Sequence, residues 1–246
     1  MEEKNVLGVI GGLGPRTTTH FMDLVASMTD AASDQDHIDM IVYNFPSIPD
    51  RRDYILGSSL KSPLPGLMAV ARDLSRQGVS QIAVPSITAH FFYEELQSAA
   101  WVPILNAVTE TVEALASAGV TEAGIMATDG TIVSGLLNGA MARRGIHPIL
   151  PCRESQKGIM RLINDHIKAG NPGEMETFQA VSQELWDKGA QVVVLGCTEL
   201  SLLKSTAHLG EGYLDAIEVL ARSAVLHSGK KLKKEYENLL SGFPSR

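Results

Sequence analysis

The chain has 246 residues, 44% of them hydrophobic and 20% charged, with a formal net charge of −7. That length and apolar share supply an ordinary buried core for one large or two small α/β units, without disulfide staples. The acidic balance disfavours nucleic acid and anionic membrane surfaces as the main partner, since both attract basic faces. No apolar run reaches the roughly eighteen residues of a membrane span.

In chain order, strands are expected at 6–10, 40–43, 82–84, 123–126 and 192–195, with amphipathic stretches at 18–28, 65–76, 108–118 and 175–188 between them. The alternation predicts a parallel α/β fold. Gly78, Gly119, Gly145, Gly170 and Gly189 mark helix ends, several of them just before a strand. A last helix is expected at 213–226. The lysine-rich stretch from Gly229 reads as a solvated helical tail with fraying ends, or as a contact arm.

Part of this pattern occurs twice. G-V-S-Q-I-A-V-P-S runs from Gly78 to Ser86 and G-A-Q-V-V-V-L-G-C from Gly189 to Cys197, each a helix stop, a short β-branched strand and a small residue with a nucleophile-type side chain. Earlier, G-V-I-G-G-L-G from Gly8 is echoed by G-I-M-A-T-D-G from Gly124. The reading is a duplication in which two parallel βαβ halves face one another across a cleft, with functional loops at the carboxyl ends of the strands. Ser86 and Cys197 then meet across that cleft. One unit is expected at 1–105 with 209–246, the last helix returning to it, and the second at 106–208.

Only two cysteines occur, Cys152 and Cys197, and the Met-Glu-Glu-Lys start has neither the basic n-region nor the apolar stretch of a secretion signal, which points to the cytoplasm. Burial habit alone makes both cysteines packing residues. G-G-L-G-P at 11–15 sits between strand and helix, where it serves equally as a compact turn or as a cradle in which backbone N–H groups around Leu13 and Gly14 hold a carboxylate. The dinucleotide spacing G-x-G-x-x-G is absent. G-T-I-V-S-G at 130–135, with Thr131, is its mate. S-I-P-D-R-R at 47–52 is a surface turn, or places Arg51 as a fork on the far carboxylate of a small dicarboxylate. Lys168, in I-K-A-G-N, offsets a helix dipole whether or not it does more. The seven histidines show no metal-ligand spacing, His90 reads as a hydrogen-bonded helix-start residue, and Glu94 and Glu95 as a solvated face.

Taken in order, G-G-L-G-P, S-I-P-D-R, P-S-I-T-A-H, A-T-D-G-T-I-V-S-G, I-K-A-G-N and G-C-T-E-L resemble the aspartate/glutamate racemase family over nearly the whole chain. The resemblance implies two Rossmann-like domains related by a pseudo-twofold, an acidic amino-acid substrate, no pyridoxal phosphate, metal or nucleotide, and a homodimer. It also implies two-base racemisation, one cysteine thiolate removing the Cα proton and the opposite cysteine reprotonating the other face. On this resemblance Cys197 matches the second cysteine, Arg51 and Lys168 the substrate-carboxylate contacts, and Thr88, Thr128, Thr131 and Thr198 the hydrogen-bonding loop residues, with Glu199 orienting the surroundings of the cysteine.

One departure stands out: the family's Pro-Cys-Asn-Thr is Pro85-Ser86-Ile87-Thr88 here. A thiol, with an ordinary pKa near about 8.5, reaches a usable thiolate near neutrality, whereas a serine hydroxyl needs an adjacent base. A substitution made to hold substrate in an inactive enzyme and a natural divergence to one-base chemistry both account for Ser86. The intact remaining motifs speak for the first and Ile87 for the second. Two further functions fit the sequence: a one-cysteine decarboxylase resembling arylmalonate decarboxylase, and a dicarboxylate-binding protein without turnover.

Overall fold

The computed structural model describes residues 5–171, 174–207 and 209–240. The outermost ends of the expected first unit, 1–4 and 241–246, and with them the Met-Glu-Glu-Lys start, lie outside the described residues. The first half runs β1 (Leu7–Gly11), α1 (Pro15–Met28), β2 (Met40–Asn44), α2 (Arg51–Ile55), α3 (Leu64–Arg76), β3 (Gln81–Ala83), α4 (Tyr93–Ala99) and α5 (Ala107–Ser117). The second runs β4 (Glu122–Ala127), α6 (Asp129–Val133), α7 (Leu136–Arg143), β5 (His147–Ile149), α8 (Arg153–Arg161), α9 (Met175–Asp187), β6 (Val192–Gly196), α10 (Thr198–Ala207), β7 (Tyr213–Asp215) and α11 (Ala216–His227).

Two parallel sheets result, ordered β2-β1-β3 and β5-β4-β6-β7. The first sheet carries a vestige of the fourth strand: Ile104 bridges Ile82 in parallel, Leu105 N–H donating to the Ile82 carbonyl at 2.8 Å. Both halves therefore wind second-first-third-fourth. Each central strand is buried on both faces, which is why its sequence is continuously apolar rather than alternating. The period of two persists underneath. Val192 and Val194 enter one apolar cluster while Val193 and Leu195 enter another, and Ala83 faces away from Ile82 and Val84.

The cluster shared by the two sheets takes Leu7 and Val9 from β1, Ile125 from β4 and Leu220 and Val225 from α11. Helix α11, which follows the last strand of the second half, packs on α1 and on α5, and α5 packs on α7.

Two three-residue strands escape the sequence reading: unlike the equally short β3, which continues in an apolar β-branched run, β5 (H-P-I) carries a proline and β7 (Y-L-D) runs straight into a helical pattern. β5 includes Pro148, tolerated because this is an edge strand. Tyr213–Asp215, expected as the opening of the last helix, is β7; the helix starts at Ala216, with Asp215 as its cap accepting from Ile217 N–H at 2.8 Å. The lysine-rich stretch also differs from the solvated helical tail expected. Lys231 O accepts from Asp30 N–H, Lys233 N–H donates to Met28 O, both at 2.9 Å, and Arg222 donates to the carbonyls of Tyr236 and Glu237. Backbone pairing with the end of α1, invisible in composition, fixes it.

The Gly-rich turn after β1 lets two backbones touch. Gly12 has φ +85°, and a Cβ there would lie 2.3 Å from Phe45 N. Gly12→Ala is expected to destabilise by at least about 2 kcal/mol through left-handed strain plus displacement of that backbone. Thermal unfolding reads this as a midpoint lowered by roughly 5 °C or more.

Candidate active site

The strands that end centrally, β1 and β3 in one sheet and β4 and β6 in the other, deliver their following loops to one place. An inner cavity of about 30 Å³ is lined by Leu13, Arg51, Ser86, Thr88, Thr128, Lys168, Cys197, Thr198 and Glu199. It adjoins an outer pocket of about 390 Å³ that shares Leu13, Arg51, Lys168 and Glu199 and adds Gly14. Thr131 stands behind the inner wall, its Oγ1 3.2 Å from those of Thr88 and Thr128. All eleven residues given a site role from the sequence, Glu199 included, are thus brought together. The inner cavity has room for about one water molecule, so any larger guest has to part its walls.

Local sequence explains each position. Ser86 lies three residues past β3 in extended conformation (φ −155°) and precedes a 3₁₀ turn, Ile87–Phe92, that carries Thr88. Cys197 is the first residue past β6, and its carbonyl accepts the N–H groups of Leu200 and Ser201, which places it at the start of α10. Thr128 caps α6. Lys168 follows a π-helical turn, Leu162–Ile167, and donates its N–H to Ile163 O, five residues back.

The duplication preserves position but not chemistry. Two residues past Ser86 stands Thr88, whose side-chain hydroxyl pairs with those of Thr128 and Thr131. Two residues past Cys197 stands Glu199, whose Oε2 accepts from Cys197 Sγ and from Thr198 Oγ1, each at 2.9 Å. The Cys197 thiol is pushed well up from its ordinary value, first by burial and then by the Glu199 carboxylate, with Lys168 opposing. The thiolate near neutrality expected from sequence is therefore not the resting state: Cys197 is held as a thiol.

Lys168 Nζ lies 4.0 Å from Glu199 Oε1. Arg51 donates to the carbonyls of Leu13 (3.2 Å) and Pro49 (3.3 Å), and its Nε is buried without a partner. Burial pulls the Arg51 pKa down while Asp50 and Glu199 hold it up. His90 supplies no base for Ser86. Its Nδ1–H donates to the Ser86 carbonyl at 3.0 Å, Nε2 accepts from Ala107 N–H at 3.1 Å, and burial keeps the imidazole neutral. Among the described residues no group of three or more His, Cys, Asp or Glu side chains is arranged to hold a metal ion.

Sequence reasoning passed over Asp50 and Arg52, which also line the inner cavity. Both stood in a quoted motif, S-I-P-D-R-R, but nothing in spacing distinguishes one arginine from the next. Partners do so: Arg52 pairs with Asp53 at 3.0 Å and Asp129 at 3.5 Å, while Arg51 meets backbone carbonyls.

The sequence model of the family described as Asp/Glu/Hydantoin racemase matches residues 10–224. The chain belongs to this family. Among curated relatives of this racemase-family protein, the broad specificity amino-acid racemase RacX of Bacillus subtilis (strain 168) is 27% identical over 227 residues, covering 89% of the chain and 96% of the relative. Among solved structures, Picrophilus torridus aspartate racemase superposes with a TM-score of 0.84 at 29% identity, over 96% of the chain and 99% of that structure. Unliganded arylmalonate decarboxylase shares the fold, with a TM-score of 0.54 at 12% identity over 96% and 99% of the two chains. No helix among the described residues is long and apolar enough to cross a membrane.

The thiol–carboxylate contact predicts the reactivity of the two cysteines. Cys152 is exposed, its thiol lowered chiefly by a hydrogen bond to Ser155, so alkylation at pH 8 is expected there first. In a Cys152→Ser background, Glu199→Gln removes the negative charge beside Cys197 and is expected to shift the pH dependence of its alkylation to lower pH. An unchanged profile refutes the coupling of the two groups.

Proposed function

We propose that this chain is a cofactor-independent enzyme moving the Cα proton of an acidic amino acid, aspartate or glutamate. It is a racemase by architecture, in which Ser86 occupies the place of the first base. The observation that carries this reading is that Ser86 and Cys197, at equivalent ends of β3 and β6, line a single cavity with Arg51 and Lys168. A planar carbanion has two faces, and inversion requires an acid–base group on each. Arg51 and Lys168 take the distal carboxylate, while Thr88, Thr128, Thr131, Thr198 and the backbone at Leu13 and Gly14 take the near end. Glu199 receives the Cys197 proton when the thiolate forms, and the thiolate then takes the Cα proton. The racemase activities named for the relatives support the same chemistry.

The expected division into 1–105 with 209–246 and 106–208 is kept with one shift: β7 (Tyr213–Asp215) pairs with β6 in the second sheet, so the return to the first unit begins with α11, which packs on α1. A decarboxylase is the weaker alternative, because two cations beside the cavity suit a second carboxylate better than an apolar aryl group.

Solvent deuterium exchange at Cα, measured separately on the L and D forms of both amino acids, tests the proposal. One enantiomer is expected to exchange through Cys197, with conversion to the other lost or severely slowed; Ser86→Cys is expected to restore interconversion. A Ser86→Cys protein inert towards both amino acids rules the reading out. Tight binding without exchange in either form identifies a binding protein instead.

A further inference from the structure

We infer that Arg52 is a positioning residue that ties α2, and with it Arg51, to the opposite half of the molecule through Asp129. This rests on the proposed role of Arg51 as a substrate contact. Helix α2 is one short turn, five residues with none buried, and such a turn has little stability of its own. Its N-terminal cap, Asp50 accepting from Asp53 N–H at 3.1 Å, and the Arg51 contacts to Leu13 and Pro49 all lie within the first half. Across the cleft, Arg52 Nη2 reaches Asp129 Oδ2 at 3.5 Å. Asp129 is itself anchored: its Oδ1 accepts from Gln156 Nε2 at 2.7 Å, and the same nitrogen donates to the carbonyl of Ala127, the last residue of β4, at 3.0 Å. A line of contacts thus runs from a central strand of the second sheet to the residue beside Arg51.

Packing makes the contact close. A Cβ on Gly130 would sit 3.2 Å from Arg52 Cα and 3.4 Å from its Cβ and Cγ, so the glycine leaves room for the arginine stem against α6. Charge separates the two arginines. Arg52 ion-pairs with two carboxylates, Asp53 and Asp129, whereas Arg51 hydrogen-bonds carbonyls and feels Asp50 and Glu199 only at longer range; each arginine keeps a buried Nε without a partner, so it is the direct ion pairing of Arg52 that separates the two. The Arg52–Asp129 pair is about one third exposed on each side, so its contribution to global stability is small. Its effect is local, on where α2 sits.

Arg52→Met and Asp129→Asn are each expected to raise the KM for Cα-proton exchange about tenfold with kcat changed less than about threefold, a split that general destabilisation does not produce. Because both act on one contact, the double variant is expected to be no worse than either single one. Arg52→Lys, which keeps a charge that reaches Asp129, is expected to recover most of the loss, and Gly130→Ala to mimic it by pressing on the arginine stem. Amide hydrogen exchange across 51–57 provides a readout independent of substrate and is expected to accelerate in Arg52→Met. A KM within twofold of the parent chain, multiplying effects in the double variant, or unchanged amide exchange each overturns the tie. Should the parent chain show no proton exchange on any acidic amino acid while amide exchange still responds, the tie stands and the functional reading falls.

Discussion

The arrangement depends on helices traded between the two sheets. α11 follows the last strand of the second sheet and packs on α1 of the first half, α5 follows the vestigial strand of the first sheet and packs on α7 of the second, and the two lie against each other. Apolar side chains from both sheets and both helices form one continuous cluster, so burying the core and bringing the halves together are the same event. That constraint makes the carboxyl ends of β3 and β6 face a common cavity, and no direct bond between Ser86 and Cys197 is needed.

Within the cavity, loss of solvent outweighs the other influences on charge. Burial raises the Cys197 thiol and lowers Arg51, each disfavouring the charged form, and the Glu199 carboxylate adds to the first effect while opposing the second. A neutral thiol donating to a carboxylate is a stable resting arrangement for a buried sulfur. Lys168 and Arg51 bias the site toward an anionic guest, and such a guest in turn changes the field at Cys197.

Duplication brings two equivalent positions to one cavity, yet their side chains have drifted apart. One carries a thiol with a carboxylate at 2.9 Å; the other carries a hydroxyl, a threonine cluster and a histidine whose nitrogens are engaged elsewhere. The positions are structurally equivalent while their side chains are chemically unequal, within a racemase-family architecture.

Much of this was legible in the chain itself. Continuous β-branched runs give buried parallel strands because both their faces meet apolar layers, and the repeated Gly-to-nucleophile spacing gives two equivalent strand ends, since that spacing is set by local geometry. The strands β5 and β7 were not legible, because H-P-I holds a proline and Y-L-D opens a helical pattern, so neither carries the apolar β-branched run that marks the equally short β3, and each becomes a strand only when a neighbour offers its hydrogen bonds. The pinned lysine-rich stretch, the elevated Cys197 thiol and the different partners of Arg51 and Arg52 were not legible either. Sequence alone determined the central strands and the residues that follow them, because backbone preference and apolar period act over a few residues. Tertiary structure decided protonation and partnership, because burial and charge proximity are set by side chains remote in the chain, as Asp129 is from Arg52.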